Sequence, residues 1–581
     1  MVRNQVSDDG SASRRETPAG LAAEAWIEYP EKPLSATGSG ALDGLLFAVK
    51  DNIDVAGIPT TAGCPAFGYT PTTDAIAVQR LRRAGASLAG KTNLDQFACG
   101  LNGSRSPYGA VPSAFDAIYV SGGSSSGSAY VVATGQVDFA LGTDTAGSGR
   151  IPAGFNNIVG LKPSRGLVSA RGVVPAAQSV DCVSILARTV ALAVKALDAL
   201  IEFDPLDPYS RRLSLRRHSL PARFRFGVPS VLEFFGDSAS QAAFAGAVGR
   251  LKELGGQPVA IDYAPLAEAA SLLYDSALVA ERYAAVRDFF DANEDQVIEP
   301  VRTILASGRR YSAADLCLAQ TLVRAHRQRA AVMWQDIDVL LVPTAPTQYT
   351  IAQMRRDPLE LNRRLGTYTN FVNLLDYAAI AVPSSIRADG LPFGITLIGP
   401  CGSDWQLAEL GQRYHHATGL TQGATGEPLP DMELLSVLRS SDKAPDAGTL
   451  AVAVVGAHLS GMPLNGQLTE RGAVLRRATQ TAPRYRLYAL PGTTPPRPGL
   501  KRCADGGRRI AVEVWDMPIE SIGGFLALIP PPLGLGSVEL VDGSWVHGFV
   551  CEGHALERAQ DVSAHGGWRA YLSSLQTASN A

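Results

Sequence analysis

No histidine occurs in the first 217 residues of this 581-residue chain; the earliest of its eight is His218. A serine nucleophile in that stretch has no imidazole nearby in sequence, so its base would be another group. The seven cysteines, at 64, 99, 182, 317, 401, 503 and 551, form no CxxC pair. Their dispersal excludes a zinc ribbon and a disulfide framework, and reads as reduced thiols in a cytoplasmic protein without a metal. No apolar run reaches the about 18–20 residues of a membrane span. The polar start MVRNQVSDDGSASRRETPAG also lacks the apolar core of a signal peptide. Charged residues make up only 18% of the chain, and a net charge of −3 offers no basic excess for nucleic acid. The expected partners are neither nucleic acid nor membrane.

What is present argues for a globular protein of more than one domain, with 46% hydrophobic residues over a length beyond one usual core. Residues 1–40 read as a flexible leader and 41–430 as the main domain. Residues 431–448, rich in Pro, Gly and charge, read as a linker, and 449–575 as a smaller α+β domain. In the main domain, continuous apolar strands (LLFAV, FALGTD, VLLVPTAP, AAIAVPSSI, FGITLIGP) alternate with helical periodicity near 75–84, 190–201, 239–254, 266–290, 313–335 and 405–416. That alternation predicts an α/β fold around a buried, mixed central sheet. In the last domain LAVAVVGAHL, YRLYAL, RRIAVEVWDM, FLALIP and GSVELVDGSWVHGFVCE read as strands, with one helical stretch near 467–478.

One motif misleads. Gly85 to Thr92, GASLAGKT, matches the GxxxxGKT phosphate loop letter for letter. That loop requires a strand before its first glycine and a helix after its lysine. Here Gly85 closes a helix and the middle residues read as strand, so Lys91 is assigned a structural role.

The chemistry concentrates in residues 121–150. Two Gly/Ser-rich turns, Gly122–Gly127 and Thr145–Gly149, place serine hydroxyls beside backbone N–H groups that no side chain covers. Without histidine the usual base is a desolvated lysine, because an exposed one with a pKa near ~10.4 stays protonated. Lys50, ending the apolar strand LLFAV, meets that requirement.

Several segments together resemble the amidase signature family: FAVKDNIDVAGIPTTAG (47–63), GKTNLDQFACGLNGSRSPYGA (90–110), GGSSSGSA (122–129) and LGTDTAGSGRIPAGFNNIVGLKPSRG (141–166), with echoes in VPTAPT and LPFGITLIG. The resemblance implies a Ser–cis-Ser–Lys triad with Lys50 as base, Ser124 as bridge on a cis peptide bond, and Ser148 as nucleophile. Backbone N–H groups of Thr145, Ala146, Gly147 and Ser148 would form the oxyanion hole. Ser125, Asp144 and Arg150 would support it, Arg150 pairing with Asp144. No cofactor is implied.

Within the family the chain is most similar to the allophanate hydrolases, through TDTAGSGR, LLYDSALVAERYAAV (272–286) and the extension over 450–570. That likeness implies a small anionic, urea-like substrate held by Arg282 and Tyr274, with Gly100 near it. On an unbroken helix eight residues separate two side chains by about 12 Å and 80°, so a shared ligand needs a bend. Ser276-Ala277-Leu278 departs from the subgroup's Gly-Pro-Trp and alters one pocket wall. The last domain resembles a γ-glutamyl cyclotransferase fold, with His458 in its pocket loop, placed to assist a decarboxylation or to serve only in structure. A homodimer and a functional link to a urea carboxylase are further implications. The alternatives are a general small-molecule amidase and a transamidation subunit acting on charged tRNA.

Overall fold

Strands buried on both faces need cover above and below, and the runs around Val49 and Leu141 receive it. The computed structural model describes residues 17–217, 219–438 and 449–579, and the chain divides into two units between Leu438 and Arg439. In the first unit, eleven strands form one sheet: β1 (Trp26–Glu28), β2 (Leu46–Lys50), β3 (Ser87–Thr92), β4 (Phe139–Asp144), β5 (Val159–Lys162), β6 (Cys182–Ala187), β7 (Phe224–Pro229), β8 (Gly256–Ile261), β9 (Val339–Pro343), β10 (Tyr377–Ile386) and β11 (Pro392–Pro400). Their spatial order is β1-β3-β2-β4-β6-β5-β10-β11-β9-β7-β8. The sheet is mixed: β2 runs parallel to β3 and β4, and β7 to β8 and β9, while β4–β6, β6–β5, β5–β10, β10–β11 and β11–β9 are antiparallel.

The helices that matter for the site are α1 (Ile76–Arg83), α2 (Ser126–Ala133), α3 (Arg150–Phe155), α4 (Val190–Leu200), α5 (Ser238–Glu253), α6 (Ala264–Asp275) and α7 (Ala280–Ala292). Helix α1 supplies the crossover between parallel β2 and β3, as their pairing requires. Helix α2 is buried at every position, which is why its text, SGSAYVVA, shows no polar face.

Several expectations are corrected. The leader does not extend to residue 40: Trp26 and Ile27 are buried, Trp26 stacks on Tyr29 at 4.2 Å, and β1 pairs with β3. Ala25 and Tyr29 are buried with them, and Trp26 Nε1 donates to Gln136 Oε1 at 2.9 Å; residues 1–16 lie outside the described residues. The linker does not begin at 431, because Leu435, Val437 and Leu438 join the core of the first unit; residues 439–448 lie outside the described residues. The helix expected over 266–290 is two helices, broken at Ser276, whose backbone is extended (φ −134°, ψ −179°).

The second unit is α+β. A five-stranded sheet and a three-stranded sheet enclose a core that includes Val452, Val454, Tyr485, Val514, Trp515 and Trp568. Two assignments change here. FLALIP is not a strand; its first residues end the helix Ile519–Leu526. The stretch 467–478 is a one-turn helix, Gly466–Thr469, followed by the strand Val474–Gln480. No helix among the described residues is long and apolar enough to cross a membrane.

Candidate active site

Because β2 and β4 are parallel neighbours, their carboxyl ends open on the same edge of the sheet, where open α/β sheets bind ligands. Lys50 is the last residue of β2 and Asp144 the last of β4. Lys50 is fully buried (0% exposed), and its Nζ lies 2.7 Å from Ser124 Oγ and 2.7 Å from Thr143 Oγ1. Burial pushes its pKa down to about 7, against Asp95, Asp181 and Asp144, which favour the charged form; Arg282 reinforces the fall. A lysine poised there serves as base or acid near neutrality.

Ser124 sits just before α2, and its peptide bond with Gly123 is cis. Gly123 is required by a close approach: a Cβ there would stand 2.4 Å from Asp95 Oδ2 and 2.6 Å from the Gly103 nitrogen. Asp95 organises this corner. Its carboxylate accepts the N–H groups of Asn102 (3.1 Å), Gly103 (3.0 Å) and Arg105 (2.9 Å), and its own N–H donates to the Ser124 carbonyl (3.2 Å).

The second turn is held by a buried ion pair. Arg150 Nε and Nη2 reach Asp144 Oδ2 and Oδ1 at 3.0 and 2.9 Å, a two-pronged bond between fully buried side chains. Burial raises the Asp144 pKa, but Arg150 and further bonds hold it below the usual carboxylate value overall. Asp144 Oδ1 also accepts the Gly147 N–H at 3.0 Å. That bond removes Gly147 from the expected oxyanion donors, since an amide aimed at Asp144 cannot also face a substrate. Among the described residues, Thr145, Ala146 and Ser148 show no such commitment of their N–H groups. Ser125 joins the two turns: its N–H donates to the Ser148 carbonyl (3.3 Å) and its hydroxyl to the Thr143 carbonyl (3.2 Å).

Ser148 Oγ faces the Gly100 carbonyl at 3.4 Å. Gly100 therefore stands beside Ser148. A Cβ at Gly100 would meet Asp95 Oδ2 at 2.4 Å, so the glycine serves the fit of the Asp95 carboxylate.

The break at Ser276 answers the spacing of Tyr274 and Arg282. It changes the chain's direction between α6 and α7, and Arg282 Nη2 lies 3.3 Å from Tyr274 Oη with the guanidinium carbon 5.0 Å from the centre of the tyrosine ring. Arg282 is buried (3% exposed). Its Nε and Nη1 have no hydrogen-bond partner among the described residues, a costly arrangement unless an anion completes it. Ala277 and Leu278, which depart from the subgroup, pack in the apolar cluster that also contains Ala146 and Ile151.

Lys91 is structural, as expected. It lies on β3, paired with Asp51 at 2.9 Å and bonded to the Thr60 hydroxyl, with no loop or helix to cradle a phosphate. In the second unit His458 Nε2 meets Gln467 Oε1 at 2.9 Å and its ring stacks on Phe549 at 4.9 Å. Burial lowers its pKa, which leaves the imidazole neutral at pH 7. Gly456, His458 and Arg497 line one small cavity there. No cluster of three or more His, Cys, Asp or Glu among the described residues could hold a metal. Sequence reasoning missed Asp95 and Thr143; Asp95 lies inside a segment already singled out, TNLDQFACG, and Thr143 stands five residues before Ser148.

Residues 19–408 match the amidase family and residues 450–573 the allophanate hydrolase C-terminal domain. Urea amidolyase of Saccharomyces cerevisiae is 43% identical over 92% of this chain, which spans only 30% of that protein's length. The structure of allophanate hydrolase from Kluyveromyces lactis is 43% identical, covers 92% of this chain and 89% of its own, and superposes with a TM-score of 0.76. A glutamyl-tRNA(Gln) amidotransferase subunit of a Picosynechococcus species is 34% identical over 66% of this chain and 86% of its own length. The chain belongs to the amidase family and adds to its amidase unit an allophanate hydrolase C-terminal domain.

Proposed function

We propose that the chain is an allophanate hydrolase, cleaving the terminal amide of allophanate, a urea that bears a carboxylate on one nitrogen. The observation that carries this reading is the buried, unsatisfied guanidinium of Arg282 beside a serine–lysine site. A guanidinium grips a carboxylate in two parallel hydrogen bonds and a phenol adds a third. The likeness to the Kluyveromyces lactis allophanate hydrolase over 92% of the chain supports it.

In this mechanism neutral Lys50 takes a proton from Ser124, which takes one from Ser148 as Ser148 Oγ attacks the terminal carbonyl. The N–H groups of Thr145, Ala146 and Ser148 receive the developing oxyanion. The relay then returns the proton to the leaving nitrogen and ammonia departs. Water attacks the carbamoyl ester through the same relay, releasing N-carboxycarbamate and restoring Ser148. That product loses carbon dioxide to give carbamate, then ammonia and a second carbon dioxide; neutral His458 in its cavity is the residue assigned to assist. We further propose a functional link to a urea carboxylase, which the likeness to part of the urea amidolyases supports, and a cytoplasmic homodimer.

The test is Ser148→Ala: ammonia release from allophanate falls to background while the protein stays folded, and retained turnover refutes the mechanism. A preference for neutral amides over allophanate would instead favour a general amidase. The match of residues 450–573 to the allophanate hydrolase C-terminal domain argues against the transamidation reading.

A further inference from the structure

The loop that enters β6 holds a carboxylate with no assigned part in the site. Asp181 accepts the N–H groups of Ala176 at 2.8 Å and Ala177 at 3.2 Å, which fix its direction. Into this fixed carboxylate Thr145 donates its hydroxyl at 2.5 Å. Thr145 opens the turn that runs from Asp144 to Ser148. A second tether flanks the first: Asn373 Nδ2 donates to the carbonyls of Asp144 (2.6 Å) and Val180 (3.0 Å). Asp144 and Cys182 are register partners where β4 and β6 run antiparallel, so Asp181 stands alongside the end of β4.

We propose that Asp181 is a positioning residue which, acting through the Thr145 hydroxyl, fixes the turn that presents Ser148 and its oxyanion-binding N–H groups. The inference rests on the serine–lysine reading above and extends it to a residue outside the triad. Misplacement of a reacting group by about 1 Å costs on the order of 10²-fold in rate, and a free Thr145 would allow such a shift. Asp181 also lines, with Thr143, Gln178, Arg171 and Asp207, a cavity of about 290 Å³.

Its charge has a separate effect on the base. Asp95, Asp181 and Asp144 favour protonated Lys50, while Arg282 opposes it. Asp181 itself faces Glu281, Arg282 and Cys182. Removing its charge lowers the Lys50 pKa further, so activity should persist to lower pH.

The experiment compares Asp181→Ala, Asp181→Asn and Thr145→Val in the full chain, by kcat, KM and pH profile for allophanate, with thermal unfolding to verify folding. Asp181→Ala and Thr145→Val should each lower kcat about tenfold or more with KM within about twofold. Asp181→Asn keeps an acceptor oxygen and should lose less. The acidic limb of the profile should move to lower pH in both Asp181 variants and stay in place in Thr145→Val. An unchanged kcat in Asp181→Ala or in Thr145→Val, or a loss in Asp181→Asn as large as in Asp181→Ala, overturns the proposal. A wild-type profile with no limb near neutrality would instead refute the role of Lys50.

Discussion

Replacing Arg282 by alanine separates recognition from chemistry. The guanidinium is buried and braced by Tyr274 through Nη2, Nε and Nη1 have no partner among the described residues, and the second hydrogen of Nη2 can join either of them in a two-pronged grip on a carboxylate. Each charge-assisted bond to a carboxylate contributes about 1.5–3 kcal/mol. Two of them, discounted for desolvation of the substrate, put the loss near ~3–4 kcal/mol. At about 1.4 kcal/mol per factor of ten, kcat/KM for allophanate should fall roughly 10²- to 10³-fold. The loss should appear in KM, because the carboxylate takes no part in the bonds being made and broken and is gripped alike before and during the reaction. A neutral diamide such as malonamide lacks the carboxylate and should lose no more than about threefold. Arg282 also lowers the Lys50 pKa, so the variant's acidic limb should move upward. The comparison therefore belongs at about pH 9, where the base is neutral in both proteins. The assay is initial-rate ammonia release from each substrate. Equal losses on allophanate and malonamide, or an unmoved KM for allophanate, would refute the carboxylate clamp.

Three further outcomes follow from the buried charges. Wild-type kcat/KM should rise with pH through about 7 and then level, because only neutral Lys50 accepts a proton. An unfolded lysine keeps its ordinary value near ~10.4, so between about pH 7 and 10 the unfolded state binds the extra proton and folding stability rises with pH; Lys50→Met should flatten that rise in urea denaturation. Arg150→Ala strands Asp144 as an uncompensated buried carboxylate and should destabilise the protein by about 3–5 kcal/mol, seen as a large fall in Tm.

The residues of the proposed triad stand out because each sits in an unusual local text: a lysine closing an apolar strand, and serines among glycines. The sheet was legible where strands are buried on both faces, as in FALGTD and FGITLIGP. What stayed hidden depends on tertiary partners. Asp95 looks like any loop aspartate until Gly100 and Gly123 are seen closing on it. Thr143 reads as a strand residue until the parallel pairing of β2 and β4 brings it to Lys50. The break at Ser276 was masked because both flanking helices carry periodic apolar residues, and no proline or glycine marks the junction. The apolar stretch around Trp26 and Ile27 was passed over because it follows a long polar start, although Ala25, Trp26, Ile27 and Tyr29 are all buried.

The two hydroxyls around Lys50 give the proton wire a polarity. A neutral amine has one lone pair, so only one of its neighbours can donate to it. The Val174 carbonyl orients the Asn52 amide at 3.1 Å, and that amide's Nδ2 also approaches Thr143 Oγ1 at 3.4 Å. With Asn52 and Lys50 both donating to it, Thr143 has no acceptor site left and its own hydrogen points away from the amine. The lone pair is then reserved for Ser124, and protons enter the lysine from the serine side alone. In the proposed relay Thr143 therefore orients the amine without carrying a proton.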